Sequence, residues 1–207
     1  MGKPAVGILM GSDSDLPVMQ EAAAMLQEFG VEYEMTIASA HRTPKKVHEY
    51  SQSAERRGLK VIIAGAGWAA HLAGVVASQT TLPVIGVPID SSPLKGIDAL
   101  LSVAQMPGGV PVATMSLGKA GAKNAGVFAA QIIAIGDVKV ANRLKVFKVE
   151  MERDVEEKAK RLVALSAAVA PPREMVAAEG PPAKKKSRRR RWKKKPGGSA
   201  PAQVPAL

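Results

Sequence analysis

Along the first two thirds of the chain, apolar residues fall in short runs, each closed by a Gly-, Ser- or Pro-rich break and followed by a stretch with helical spacing. Ala5–Met10 (AVGILM) predicts a strand and Gly11–Asp15 a polar loop. Leu16, Pro17 and the Ala-rich stretch after them predict a helix to Phe29, with Gly30 at its C-cap. The second unit is a strand over Tyr33–Ala38, a loop over Ser39–Thr43 and a helix from Pro44 to about Arg57, stopped by Gly58. In the third, Lys60–Ala64 reads as a buried strand, Gly65-Ala66-Gly67 as a turn and Ala69–Ser78 as a small-residue helix. A fourth strand is expected over Val84–Val87, with a loop from Pro88 to Pro93 and a helix over about Gly96–Gln105. The fifth is Val112–Met115, followed by a Gly/Lys loop from Leu117 to Lys123 and an Ala-rich helix to about Ile135.

Five β/α units of roughly 20–30 residues, with strands that lack clean alternation, argue for a parallel sheet covered on both faces. The expected fold is therefore α/β: a flavodoxin-like, doubly wound parallel five-stranded sheet in three α/β/α layers. Ligands of such sheets bind where the strands end at their carboxyl edge, near the point where strand order reverses, so the loops named above are where chemistry belongs.

Residues 138–168 break the rhythm. Val140, Leu144, Phe147, Met151, Val155, Ala159, Leu162 and Leu165 recur at three- and four-residue spacing, the stripe of a single amphipathic helix. Such a helix would be roughly 45 Å long at 1.5 Å per residue, more than a domain of this size can cover, and it is expected to lie on a neighbouring subunit. From Pro171 onward the composition turns Pro/Ala/Gly-rich, then basic, and is expected to stay disordered. The chain thus divides into a catalytic-type domain (1–136), a long C-terminal helix (137–170) and a tail (171–207).

Composition narrows the class. In 207 residues, 46% are hydrophobic and 23% charged, so the chain can bury one ordinary core, and no uncharged apolar run approaches the roughly 18 residues that span a bilayer. The absence of cysteine excludes a disulfide framework, thiolate metal ligation and a cysteine nucleophile. No secretory signal is legible at the N-terminus, and a cytoplasmic location is expected. The net charge of +11 suggests an anionic partner until it is located: Lys184–Lys195 hold six Lys and four Arg, and taking those ten away leaves +1. Any attraction to nucleic acid would be a property of that tail, because the body has few rings to stack on bases.

Gly11-Ser12-Asp13-Ser14-Asp15, between a strand and a helix, can act as a capping cluster or hold a phosphate or sugar hydroxyl, and Asp15 suits ribose hydroxyls because a carboxylate accepts two hydrogen bonds. Ser39-Ala40-His41-Arg42-Thr43-Pro44 says more. An Arg there takes an anion by two parallel hydrogen bonds, and the adjacent imidazole moves protons near neutral pH; the plainer reading is a capping turn with a solvated Arg. Gly65–His71 sets small residues against the third loop, and His71 is read either as functional or as a structural His in close packing. His48, inside the second helix, reads as a surface residue. No Walker-type loop, no dinucleotide fingerprint and no metal-ligand spacing stands in the chain, so the expected chemistry is a cofactor-free, metal-free reaction on a phosphorylated small molecule.

Five motifs in register carry a resemblance. Gly11–Asp15, Ser39–Pro44, Gly65-Ala66-Gly67-x-Ala69-Ala70-His71-Leu72, Gln105–Val112 and Lys119-Ala120-Gly121-x-x-Asn124-Ala125 together resemble the N5-carboxyaminoimidazole ribonucleotide mutase family of purine biosynthesis, over about residues 4–160. The resemblance implies an octamer of flavodoxin-like subunits and a carboxyl migration that needs no ATP, metal or biotin. The carboxyl leaves the exocyclic nitrogen as carbon dioxide and is taken up by the neighbouring ring carbon. It further implies His41 as the general acid and base. Asp15 is implied on the ribose, and Ser12 and Arg42 near the phosphate. Ser14, Ser39, Ala40, Gly67, Ala69, Ala70, His71 and Leu72 are the remaining substrate-binding positions.

This chain departs from the family pattern at Trp68, where Gly is usual, and at Ala73, where Pro is common. Three alternatives remain open at this point: direct carboxylation of aminoimidazole ribonucleotide by carbon dioxide, the related carboxylation of a pyridinium mononucleotide, and an inactive mutase-like protein that binds polyanions through its tail.

Overall fold

The computed structural model describes residues 2–169, and the predicted basic tail lies outside the described residues. Residues up to Leu162 form one compact unit. The strands are β1 (Val6–Met10), β2 (Tyr33–Ile37), β3 (Val61–Gly67), β4 (Val84–Ile89) and β5 (Ala113–Thr114). Between and after them run α1 (Leu16–Glu28), α2 (Pro44–Arg57), α3 (Leu72–Ala77), α4 (Ile97–Ala104), α5 (Gly118–Ala134) and α6 (Val138–Val169). All pairings are parallel, in the order β2-β1-β3-β4-β5. This is the expected flavodoxin-like sheet.

The absence of alternation in the strands has its reason in the layers. Val6, Ile8 and Met10 point to one face, with Val61, Ile63, Ile85 and Val87, under α1, α5 and Val140 of α6. Leu9, Ile62, Ala64 and Val84 point to the other, under residues of α2, α3 and α4. Each central strand is buried on both sides, so each position must be apolar or small. α1 and α5 approach so closely that a Cβ on Gly126 would stand 2.6 Å from the carbonyl oxygen of Ala22.

The structure corrects four boundaries, the first being β4, which runs through Pro88 and Ile89, read as loop, to pair with the end of β3. Gly65-Ala66-Gly67, read as a turn, continues β3, pairing with Val87, Pro88 and Ile89 of β4. The glycines are there for clearance: a Cβ on Gly65 would overlap Met19 Sδ, and one on Gly67 would overlap Ser91 Oγ. The Leu117–Lys123 segment, read as a loop, is the start of α5, where Gly118 sits at φ +64° and a Cβ on Gly121 would run into the Ser116 carbonyl. The third helix is Leu72–Ala77 rather than Ala69–Ser78, because β3 runs on to Gly67 and Trp68–His71 are spent on the connection.

α6 begins where Asp137 Oδ1 accepts the backbone N–H groups of Lys139 at 2.8 Å and Val140 at 3.3 Å. Its first turns rest on the domain itself: Arg143 donates to the Phe29 carbonyl at 2.7 Å, and Phe147 meets Phe29 edge to face at 5.2 Å. Further along, the predicted stripe is exposed at Met151, Val155 and Leu162, joined by Val146 and Val149. Among the described residues no helix is long and apolar enough to cross a membrane.

The α1–α5 contact makes a stability prediction. Alanine exceeds glycine in helix propensity by about 1 kcal/mol, but overpacking against a backbone oxygen costs about 1–3 kcal/mol. Gly126→Ala is therefore expected to lower unfolding stability in urea; an unchanged or raised midpoint would contradict the close approach.

Candidate active site

The carboxyl ends of β1, β2, β3 and β4 open into one cleft of about 520 Å³. It is lined by residues of the β1–α1 loop (Gly11, Ser12, Ser14, Asp15), the β2–α2 loop (Ser39–Arg42), the end of β3 and its loop (Ala66–Ala69, Leu72), and Ser91 after β4. β1 lies between β2 and β3, so the chain leaves β1 toward one neighbour and comes back on the other side of it, and the crevice opens at that reversal.

The first wall is a capped turn that ends in a buried acid. Ser12 Oγ accepts from the Ser14 N–H at 3.4 Å and donates to Asp13 Oδ1 at 2.9 Å, while the Ser12 N–H donates to Asp15 Oδ2 at 3.0 Å. The capping cluster and the candidate ligand site are therefore the same residues. Asp15 is 5% exposed. Burial pushes its carboxyl above the usual carboxylate range, although hydrogen bonds from the Ser12 and Gly11 backbone and the charge of Arg42 oppose the rise. Asp13, on the solvent side, is held below its ordinary value by the bonds from Ser12 and from the Ser14 backbone.

The second wall carries the cation. Ser39 and Thr43 close the turn, the Ser39 N–H donating to Thr43 Oγ1 at 2.9 Å and the Thr43 N–H to the Ser39 carbonyl at 2.9 Å. Arg42 reaches across from it: Nη2 donates to the Gly11 carbonyl at 2.8 Å and Nε to Ser39 Oγ at 3.4 Å. Arg42 thus ties the first loop to the second instead of waving in solvent. It has no carboxylate partner within ion-pair distance among the described residues. Its guanidinium carries five donors, and those left over line the cleft, as an anion site requires.

His41 meets His71 across the second and third loops. His41 Nε2 and His71 Nδ1 are 2.9 Å apart, with ring centroids 5.0 Å apart and planes at 80°. One of those two nitrogens carries the proton and the other accepts, so the pair fixes both tautomers at once. His71 stands at the start of α3, as its sequence position suggests.

The structure brings Ser12, Ser14, Asp15, Ser39, Ala40, His41, Arg42, Gly67, Ala69 and Leu72 to the cleft, with His71 joined through His41. It does not bring Ala70, which is 1% exposed and part of the core beneath. The Gln105–Val112 and Lys119–Ala125 motifs also lie away from the cleft lining. Sequence reading missed Ser91, and named Gly11 and Ala66 only as members of their loops. A hydroxyl in the loop after the fourth strand was the available signal for Ser91, because every such loop reaches the same edge. Outside the cleft, His48 is an exposed residue whose Nδ1 lies 3.2 Å from Gln79 Oε1. Among the described residues no cluster of His and carboxylates is placed to hold a metal ion.

A doubly wound sheet with a buried carboxylate, an arginine without a carboxylate partner and a histidine pair at its switch point defines an α/β protein with a polar cleft of small-ligand size. The chain belongs to the AIR carboxylase family, whose model matches residues 5–154. It is 60% identical over 159 residues to N5-carboxyaminoimidazole ribonucleotide mutase of Thermotoga maritima, covering 77% of this chain and 92% of that one. The Bacillus subtilis enzyme of the same name is 54% identical over 161 residues, covering 78% and 99%. Among solved structures, Treponema denticola PurE superposes with a TM-score of 0.69 at 31% identity, covering 77% of this chain and 98% of that one.

The raised Asp15 carboxyl fixes the sign of a pH effect. The folded chain holds this proton more tightly than the unfolded one, so the favourable contribution is full below the unfolded value, near 3.8, and is lost as pH rises through the raised folded value. Asp15→Asn removes that loss. Stability of the variant relative to the parent is expected to improve between pH 4 and pH 7 in thermal melts; a relative decline over that range would contradict burial as the dominant influence.

Proposed function

We propose that the protein is an isomerase that converts N5-carboxyaminoimidazole ribonucleotide to 4-carboxy-5-aminoimidazole ribonucleotide in purine biosynthesis. The observation that carries the reading is the His41–His71 pair, set beside an arginine without a carboxylate partner and a buried aspartate. The names of relatives at 54% and 60% identity support the same assignment.

The chemistry asks for little, and the cleft supplies it from its own residues. Arg42 and Ser12 hold the phosphate, and Asp15 accepts the ribose hydroxyls. As the bond between the carboxyl carbon and the exocyclic nitrogen breaks, His41 gives a proton to that nitrogen and carbon dioxide is released beside the ring. The electron-rich ring carbon then attacks the carbon dioxide and forms the new carbon–carbon bond. The proton on that ring carbon passes back to His41, and aromaticity returns. Protons and electrons balance over the cycle, so one imidazole serves in both directions. His71 takes or supplies the hydrogen bond at His41 Nε2, and so sets which ring nitrogen can face the substrate. Ser39, Ala40, Gly67, Ala69 and Leu72 form a wall of mostly small or apolar groups that keeps carbon dioxide near its acceptor. No step needs ATP, a metal ion or an organic cofactor.

Direct carboxylation of aminoimidazole ribonucleotide by free carbon dioxide is the second reading, and the family's description favours it. The two differ in the substrate that turns over at low carbon dioxide. A homo-oligomer is supported by the exposed Met151, Val155 and Leu162, which share one face of α6 and offer it to a neighbour; the octamer and the cytoplasmic location belong to the same reading as family properties. Within this reading, attraction to nucleic acid would be confined to Lys184–Lys195.

Two outcomes test the reading. Turnover of N5-carboxyaminoimidazole ribonucleotide without ATP or added bicarbonate is expected, and His41→Asn should reduce it by at least about a hundredfold while nucleotide binding by calorimetry persists. Turnover retained in that variant would remove His41 from proton transfer. A chain ending at Val169 is expected to keep both the activity and the assembled mass in light scattering; loss of either would give the basic tail a part in them.

A further inference from the structure

Among the described residues Trp68 is the one large aromatic side chain at the cleft, and it is held there against the interests of the fold. Its backbone lies at φ +55°, the left-handed region that disfavours residues with a Cβ and that Gly occupies freely. Its side chain is 58% exposed and belongs to neither core cluster. The indole makes no hydrogen bond, aromatic pair or cation–π contact among the described residues. Both the backbone strain and the exposed apolar surface would vanish with Gly at this position. Backbone strain of this kind clusters at functional sites, and Trp68 stands in the lining of one.

The position says which function. Trp68 lines the same cleft as Ser12, Asp15, Arg42 and Ser91, and it stands three residues before His71, whose ring contacts His41. The cleft has anion and hydroxyl partners for a ribose phosphate, but no other aromatic surface besides the histidine pair for a heterocycle. An indole face stacks well on a flat heterocycle and, unlike a hydrogen-bonding side chain, makes no demand on its ring substituents. Those substituents are what change during a carboxyl shift.

We propose that Trp68 is a substrate-binding residue of this enzyme, its indole stacking on the five-membered heterocycle of the ribonucleotide and covering the cleft mouth. The inference rests on the mutase reading. It assigns Trp68 a uniform binding role, felt alike by substrate and product, so its loss should raise KM and leave kcat nearly unchanged.

The test uses the full chain carrying Trp192→Phe, so that Trp68 is its only tryptophan. Titration with 4-carboxy-5-aminoimidazole ribonucleotide is expected to shift and quench Trp68 fluorescence, and ribose 5-phosphate, which lacks the heterocycle, to leave it unchanged. Trp68→Gly should bind the carboxylated ribonucleotide about fivefold to tenfold more weakly by calorimetry, bind ribose 5-phosphate as before, and melt no lower than the parent. Trp68→Phe should recover part of the lost affinity. Equal binding by parent and Trp68→Gly would overturn the inference and leave the mutase reading standing. A changed oligomeric mass in Trp68→Gly would overturn it in favour of a subunit contact. Failure of the parent itself to bind the carboxylated ribonucleotide would overturn both.

Discussion

Everything functional in this chain depends on β1 being paired in parallel with β2 on one side and β3 on the other. A parallel pair needs a crossover, and successive crossovers from a central strand run over opposite faces of the sheet. α1 therefore covers one face and α2 the other, and the loops that introduce them separate above the carboxyl edge. The crevice between them is a consequence of connectivity, present before any particular side chain is chosen. What the sequence chooses is how closely the walls approach, and it does so with glycine. Gly65 admits Met19 and Gly67 admits Ser91, at distances that no Cβ would allow.

Inside that crevice the charges are arranged to favour a ligand over the fold. Asp15 is buried enough that its carboxyl is pushed above the usual range, with two backbone hydrogen bonds only partly offsetting the loss of water. Arg42 bonds to a carbonyl and a hydroxyl but not to a carboxylate. A protein concerned only with stability would pair the two or bring the buried Asp15 to the surface. On the proposed function, a cation and an acceptor held apart in this way would meet a phosphate and a ribose without reorganisation on binding, the condition under which electrostatic preorganisation accelerates chemistry. The histidine pair follows the same logic, since each ring orients the other before any ligand arrives.

Much of this was legible in the chain. Helix starts at Pro44 and stops at Gly58 were given by local rules that tertiary packing had no reason to override. Loops ending in Gly11–Asp15 and Ser39–Arg42 were identifiable because polar residues at strand ends stand out against apolar runs. The misread segments share one cause. Gly65-Ala66-Gly67 and Gly118–Gly121 look like turns, yet Gly65, Gly67 and Gly121 give room to a neighbouring group, and only Gly118 supplies a left-handed backbone. That distinction depends on Met19, Ser91 and Ser116, and local pattern carries no record of it. Ala70 was misplaced for a related reason: it stands among site residues in sequence, but the turn from β3 into α3 directs it into the core. The contact between His41 and His71 joins residues thirty positions apart and could be anticipated only as two loops at a common edge.

The central claim is that a carboxyl group moves between two atoms of one substrate inside this cleft, without passing through the solvent pool. Label retention tests it directly. N5-carboxyaminoimidazole ribonucleotide carrying carbon-13 in its carboxyl would be turned over in buffer equilibrated with unlabelled carbon dioxide, and the product analysed by mass spectrometry. The account predicts that the product keeps the label. A product carrying the isotopic composition of the dissolved carbon dioxide would contradict it and identify a carboxylase that draws on the pool.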